Sequence, residues 1–573
     1  MSTNSNKKLE GKVALVTGGM RTADFVERVR ANQRKLTSDL RSQYDFIVCG
    51  SGSSGSVVAR RLAENPDVNV LLLEAGGCDD VPEVMEPHQW PMNLGSDRDW
   101  NFQAQPNPHL NGRAIPMDMG KVLGGGSSIN VMAWSRGHKS DWDFFAAEAG
   151  DAAWNYASVL EIYRRIEDWH GVPDPKYRGT GGPVFVQPAP DPNPVAPAML
   201  EGARSVGIPT FENQNGRMME GGGGAAILDV RTRNGKRQSV FRSYVFPYMD
   251  RPNLTVLTDA LVTRITFEGK RATGVEISYD GNTHRVRAGF EVVLALGAIH
   301  TPKVLMQSGI GDEAELRRFG IPVVQHLPGV GQNFQDHPAF GCVWEYSEAL
   351  PPRNNLGEAT FFWKSDPALA GPDLQTCQVE VPLSSAENTA RFGLPGSGWT
   401  LHGGIVRPKS RGRIRLTGPN PLDPVQIEGN HLSHPDDLKA AIVLVELCRE
   451  IGNSDVLRPF TKREVMPGNL KGVQLENFIR DAGVTYYHQT CTAKMGQNGM
   501  SVVDGNLKVY GIENLRIADG SIMPRVTTGN TMAPCVIIGE RAGEILRTAH
   551  KLSGVGAYSN QVFALQPHSV ICD

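Results

Sequence analysis

Six residues near the start of the chain, Gly50-Ser51-Gly52-Ser53-Ser54-Gly55, sit between two short apolar runs. The run before them, Tyr44 to Cys49, reads as a buried strand. The stretch Val57 to Leu62 reads as an apolar helix, and Val68 to Leu73 as a second strand ending at Glu74. This order of strand, glycine turn, helix, strand and acid is the βαβ setting of a dinucleotide-binding fingerprint. Gly50 permits the tight turn. Gly52 lets backbone approach a pyrophosphate, with Ser53 and Ser54 opening the helix whose N–H groups face it. Gly55 lets helix and strand pack closely, and Glu74 can accept hydrogen bonds from a ribose diol.

With 573 residues the chain exceeds one ordinary core. A hydrophobic content of 40 % and a charged content of 21 % are those of a globular protein. A formal net charge of −3 and the lack of a basic tract give no reason to expect a nucleic-acid partner. No apolar run reaches the ~18 residues of a membrane helix, and no secretory leader pattern is seen, so a cytoplasmic location is expected. The eight cysteines are scattered, without metal-ligand spacing, and read as free thiols. Oligomeric state leaves no mark on the sequence.

Residues 1–42 read as an N-terminal extension. Leu9 to Gly19 looks like the opening strand of a short-chain dehydrogenase, but the rest of that pattern does not follow, and a helix is expected around Asp24 to Arg41. Helical pattern returns at Ser140 to Glu148 and Ala157 to Asp168, and residues 171–225 are rich in Pro and Gly. Strands are expected at Thr255 to Leu257, Val262 to Phe267, Thr273 to Tyr279 and Glu291 to Leu296, the last lying beside the first strand. Irregular strands fill 340–430. Helices follow at Pro435 to Ile451 and about Thr531 to Leu552. The expected architecture is α/β, a Rossmann-type nucleotide domain (43–158, 228–338 and 496–552) interleaved with a mixed-sheet substrate domain (159–227 and 339–495). A tail follows at 553–573.

A second glycine cluster, Gly120-Lys121-Val122-Leu123-Gly124-Gly125-Gly126-Ser127-Ser128-Ile129-Asn130, is dense in backbone donors that can wrap a phosphate or a flat ring. It continues through Val131 to Gly137. Residues 120–143 resemble the first signature of the glucose–methanol–choline (GMC) oxidoreductase family of FAD enzymes. Gly297 to Gly311 resembles the second, and Pro328 to Pro338 and Asp519-Gly520-Ser521-Ile522-Met523-Pro524 are also similar. The resemblance covers about residues 43 to 550.

The resemblance implies FAD. By match, Gly50, Gly52, Gly55 and Glu74 hold the ADP part, and Gly124 to Asn130 lie along the pyrophosphate and flavin, with Val122 before them. Val262 matches the position whose backbone meets the adenine, and Asp519 the acid before the flavin-side turn. Some members link the flavin covalently to a histidine just before the asparagine matched by Asn130. Here Ile129 stands there, so noncovalent FAD is expected.

His488, in Tyr486-Tyr487-His488-Gln489-Thr490-Cys491, falls on the family's catalytic histidine, and Asn530, in Thr528-Gly529-Asn530-Thr531-Met532, on its second catalytic position. The chemistry suits these types. Oxidising an alcohol removes a proton from oxygen and a hydride from carbon, the hydride going to flavin N5. An imidazole can take the proton near neutral pH. An amide can hold the oxygen and aim the C–H bond. The helix opening at Thr531 is expected to point its positive end at the flavin. Gln489 and Cys491 depart from the proline and glycine usual in this motif; Cys491 is expected to be a small buried side chain rather than a nucleophile.

The implied reaction is oxidation of a primary alcohol to an aldehyde, with oxygen or another acceptor taking the electrons. The choline oxidases keep a glutamate after the Asp-His-Pro motif. Here Asp336-His337-Pro338 is followed by Ala339, which places choline below uncharged alcohols, although Tyr487 matches an aromatic position of those enzymes. Trp90, Phe361, Phe362, Trp363 and Trp399 are read as core packing before pocket lining. Val131 is a candidate for the place where oxygen approaches the flavin, without deciding between oxidase and dehydrogenase. The alternatives are a choline-type enzyme, an FAD-containing hydroxynitrile-type lyase, and a flavoprotein that only binds. A light-driven decarboxylase of this fold lacks the histidine that His488 supplies.

Overall fold

The computed structural model describes residues 22–552, so the Leu9 to Gly19 fragment and the 553–573 tail lie outside the described residues. Two seven-stranded sheets carry the architecture. In the first, Gln43–Cys49 is central and almost wholly buried, with Val70–Leu73 parallel on one side and Asn282–Leu294 parallel on the other. Leu254–Leu257 extends the sheet beyond Val70–Leu73.

Asn282–Leu294 plays two parts. Its first half closes an antiparallel meander with Arg271–Tyr279 and Leu261–Glu268. Its second half holds Leu515–Ile517 in parallel. The expected strand at Glu291 to Leu296 is therefore the buried end of a longer one, whose exposed start has the polar sequence of an edge ribbon. The chain leaves Gln43–Cys49 toward one neighbour and returns beside the other, so a crevice opens at Gly50, the place where open α/β sheets bind ligands.

The glycine turn is sterically fixed at that crevice. Gly50 has φ +99°, and a Cβ there would meet Ala295 O at 2.4 Å; one on Gly55 would meet Gly50 O at 1.9 Å. The helix that follows, Ser53–Ala63, packs on the long helix Met532–Ala549. Gly539 and Gly543 allow the approach, since a Cβ on either would meet Val57 or Arg61 side-chain carbon within 2.8 Å. The joint is tied by Ser54 Oγ donating to Cys535 O at 2.7 Å and by Arg61 on Glu540 at 2.7 Å, both side chains buried.

The second sheet is antiparallel, in the order Thr461–Met466, Pro338–Tyr346, Gly398–Ile405, Leu374–Val379, Ala359–Trp363, Gly224–Ile227, with Val484–Thr485 also on Pro338–Tyr346. Its strands alternate as a pleat requires. Thr376 meets Cys448 of helix Pro435–Gly452 on the back, whereas Gln375 meets Asn530 and Cys377 and Val379 line a cavity on the front. The Pro- and Gly-rich stretch 171–225 contains a helix, Val195–Ser205, and a further helix unforeseen in the sequence lies at Val473–Ala482. Both are short and amphipathic, and packing rather than capping holds them: neither start has a side-chain cap.

Cys78 is disulfide-bonded, which corrects the reading of all cysteines as free thiols; Cys49, Cys342, Cys377, Cys448, Cys491 and Cys535 are free. Among the described residues no helix is long and apolar enough to cross a membrane, and no cluster of ligands could hold a metal ion.

Candidate active site

One cavity of about 540 Å³ runs from the glycine turn of the first sheet to the front of the second. Gly50, Gly52, Ser53, Ser54, Glu74, Gly125, Ser127, Asn130, Val131, Val262, Asp519, Gly520, Thr531 and Met532 line it. At its far end stand Tyr487, His488 and Asn530. Residues spread over almost 500 positions thus meet at one surface. Three of the expected cofactor residues do not line it. Gly55 packs against Gly50 behind the turn, Val122 is bridged to Gly77, and Gly124, at φ +91°, sits against Ser128 and Phe241. They shape the wall by backbone geometry instead of touching the cavity.

The wall fits an extended anionic cofactor. A Cβ on Gly52 would meet nothing within 4 Å, so the cavity approaches bare backbone there. Helices Ser53–Ala63 and Met532–Ala549 both begin at the cavity without a side-chain cap, leaving N–H donors and partial positive charge directed at it. Behind Asn130 and Met532 two buried guanidiniums bond only neutral partners. Arg237 donates to Asn130 O at 2.6 Å and Arg231 to Ser243 Oγ at 2.6 Å. Burial lowers both, to about 9 and about 10. Glu74 accepts from Ser51 N and Oγ and from Gly76 N at 3.1, 2.6 and 2.9 Å, so it secures the turn as well as facing the cavity. Burial raises its carboxyl despite those bonds. Asp519 likewise holds Gly297 N and Thr301 Oγ1.

At that far end, His488 Nε2 lies 3.2 Å from Asn530 Nδ2, and its Nδ1 lies 2.8 Å from Nδ1 of His337. Its backbone N–H donates to Asp336 Oδ1 at 2.9 Å. Burial pushes the His488 imidazole down to about 4, with Asp336 opposing the shift, so the ring is neutral near pH 7 and can accept a proton. Burial would raise the Asp336 carboxyl, but the hydrogen bond and charge of His431, 3.0 Å away, leave it below its usual range. Gln375 donates to Asn530 Oδ1 at 3.2 Å.

His337, Gln375, Asp336 and His431 were not picked out as site residues from the sequence. His337 was visible only as part of a motif, and nothing in one sequence shows that it touches a residue 151 positions away. Tyr486, stacked on His488 at 5.4 Å, and Trp100, at 4.0 Å from His300, are cavity aromatics also missed. Of Trp90, Phe361, Phe362, Trp363 and Trp399, only Trp90 lines the cavity, its Nε1 donating to Asn355 O at 3.0 Å; Phe361, Phe362 and Trp399 are buried in packing. Ala339 pairs with Gly404 under the Tyr486 ring and brings no charge to the wall. Cys491 is buried and does not line the cavity. Burial raises its thiol to about 12, and its φ of +77° is the left-handed conformation that favours glycine.

Residues 44–339 and 408–539 match the N- and C-terminal parts of the GMC oxidoreductase family. The chain is 36 % identical over 530 residues to the oxygen-dependent choline dehydrogenase of Brucella anthropi, covering 87 % of this chain and 95 % of that one. It is 36 % identical over 550 residues to the mitochondrial choline dehydrogenase of Mus musculus, covering 90 % and 91 %. Among solved structures, pyridoxine 4-oxidase from Mesorbium loti superposes with a TM-score of 0.84 at 31 % identity, over 89 % of this chain and all of that one. A formate oxidase does so at 0.81 and 26 %, over 89 % and 99 %. With the cavity, the uncapped helix starts and the histidine–asparagine pair, these matches show that the chain belongs to the GMC oxidoreductase family and is an FAD-dependent oxidoreductase acting on CH–OH donors.

Proposed function

We propose that this chain oxidises an uncharged primary alcohol to an aldehyde, with His488 as the base and Asn530 as the residue that holds the alcohol oxygen. The observation that carries this reading is the His488–Asn530 pair at the inner end of the cavity, 3.2 Å apart, with the histidine neutral. An alcohol hydroxyl placed between them donates to Nε2 and accepts from the Asn530 amide. The amide then keeps the carbinol hydrogen aimed along the cavity. Burial excludes water, so the proton passes to Nε2 without competition. FAD, when bound, supplies the two-electron acceptor for the hydride on the carbinol carbon. The electrons pass on to oxygen or another acceptor.

FAD is held without a covalent bond in this proposal. Ile129, which lines the cavity where some members carry the linking histidine, is hydrocarbon. Acid precipitation followed by ultrafiltration should release all of the flavin; flavin that stays with the pellet contradicts this.

Choline is the second reading. The relatives' names favour it, and the cavity does hold one carboxyl near Tyr487, that of Asp118. Burial and the neighbouring Asp99 raise that carboxyl to about 7, so near neutrality it carries only part of a charge. Anaerobic flavin reduction by benzyl alcohol, a furan alcohol and choline separates the two. Uncharged alcohols are expected to reduce the flavin faster. Faster reduction by choline, lost in Asp118→Asn, transfers the assignment to a choline-type enzyme.

A further inference from the structure

Both ring nitrogens of His488 are engaged, and their partners decide where its proton sits. Its Nδ1 and that of His337 are 2.8 Å apart. Two imidazole nitrogens at that distance share one proton, so one ring donates and the other accepts. The contact does not itself say which.

The other side of His488 answers the question. Gln375 Nε2 donates to Asn530 Oδ1 at 3.2 Å, which turns the Asn530 amide so that Nδ2 faces His488. An amide nitrogen can only donate. His488 Nε2 therefore accepts, and its proton is on Nδ1. That proton is donated to His337 Nδ1, so the proton of His337 sits on Nε2, buried beside the backbone of Val406.

We propose that His337 is a positioning residue: it holds His488 as the Nδ1–H tautomer, leaving Nε2 as the bare acceptor that takes the alcohol proton, while Gln375 sets the amide of Asn530 for the same purpose. The inference rests on His488 being the base. When the alcohol O–H bond breaks and the Nε2–H bond forms, the new positive charge spreads through Nδ1–H onto His337. The opposite tautomer would place a proton on Nε2 and leave no base in the cavity.

The position needs no imidazole for folding alone. His337 O already accepts from Tyr486 N at 2.9 Å, and His337 N donates to the preceding Asp336 carboxylate at 2.9 Å, so the backbone is anchored without the ring. Burial and the neighbouring His488 push the His337 ring down to about 3, so it stays neutral and serves as an acceptor and not as a second base. The other groups facing His488 are fixed: Asp336 beneath its backbone with His431 on the far oxygen, Tyr486 stacked on the ring, and Tyr486 OH turned away onto His402 O.

The test uses FAD-loaded protein labelled with ¹⁵N-histidine, together with His337→Leu and His337→Asn. In wild type, the ¹⁵N spectrum should show His488 Nε2 as an unprotonated nitrogen and Nδ1 as protonated. His337→Leu should slow alcohol-driven flavin reduction on the order of 10- to 100-fold, with KM little changed and the acid limb of the pH profile moved to lower pH. His337→Asn offers a carbonyl to Nδ1–H and should recover most of that loss. Equal losses in the two variants with an unmoved acid limb overturn the proposal, as does a protonated Nε2 in wild type. If neither variant holds FAD, the wild-type spectrum decides alone. His488→Ala separates the two levels: undiminished reduction there removes the base assignment itself, whereas a dead His488→Ala beside indifferent His337 variants removes only the role of His337.

Discussion

Asn530 Nδ2 lies 3.2 Å from His488 Nε2, although the two residues are 42 positions apart and are held by different elements. Asn530 is two residues before the long helix Met532–Ala549. His488 follows the short strand Val484–Thr485 of the second sheet. The pair is therefore formed only when the two sheets dock, and each member meets a further polar side chain, Gln375 for one and His337 for the other.

Asn530→Ala should slow flavin reduction less than loss of the histidine does, because it removes an amide that positions the oxygen and leaves the base. About tenfold is expected for losing one such hydrogen bond. Rapid-mixing absorbance on the FAD-loaded variant checks it. A loss as large as that of His488→Ala would make the amide an equal partner in the chemistry.

Two glycines three positions apart should respond in opposite ways. Gly52→Ala puts a methyl into open cavity, so the apoprotein should unfold at an unchanged temperature while FAD binding weakens on the order of tenfold or more. Gly55→Ala drives its methyl into Gly50 O, 1.9 Å away, and should cost about 3 kcal/mol of stability. Calorimetry with a flavin titration reads both effects. An unweakened affinity in Gly52→Ala would mean that the cofactor does not approach this turn.

Glu540 holds the buried guanidinium of Arg61 and accepts from Tyr244 OH at 2.8 Å, joining the two helices that begin at the cavity. Glu540→Ala leaves the buried Arg61 guanidinium with only Glu64, 2.7 Å away, as its carboxylate and should cost about 3 kcal/mol. Denaturant unfolding gives the number. A change within about 0.5 kcal/mol would show that the joint does not depend on the ion pair.

Four buried histidines set an acid limit on stability. Burial lowers His300 and His337 to about 3, with Lys303 adding to the first and His488 to the second, and burial lowers His402 and His488 to about 4. In the unfolded chain each titrates at about 6.5. Below that pH the unfolded state takes up protons that the folded state refuses, so stability falls as pH drops from about 6.5 to about 3 and this contribution levels off below the folded values. Melting temperature followed by flavin fluorescence should decline across that window. A flat profile there contradicts the neutral assignment of these rings.

The glycine turn, both its strands and the long closing helix were legible because each is a local device: a run of apolar residues, a glycine where a Cβ would strike Gly50 or Ala295, an acid at a strand end. His488 and Asn530 were legible through the motifs around them. What was illegible depends on sheet docking. His337 and Gln375 gain their meaning from contacts 151 and 155 positions long, and Val195–Ser205 becomes helical in a proline-bearing segment because it packs beneath the second sheet. Val122, Gly124 and Gly55 belong to the right motifs but act from behind the wall, a distinction that backbone conformation makes and residue type does not.

The central claim is that His488 takes the alcohol proton in an FAD-dependent oxidation. Anaerobic stopped-flow absorbance of wild type and His488→Ala, each loaded with FAD and mixed with the fastest primary alcohol, tests it most directly. The flavin band at roughly 450 nm should bleach in wild type. In His488→Ala, with FAD still bound, bleaching should slow by roughly 10²-fold or more. Equal rates in the two proteins, or no bleaching of wild type by any alcohol, would contradict the account.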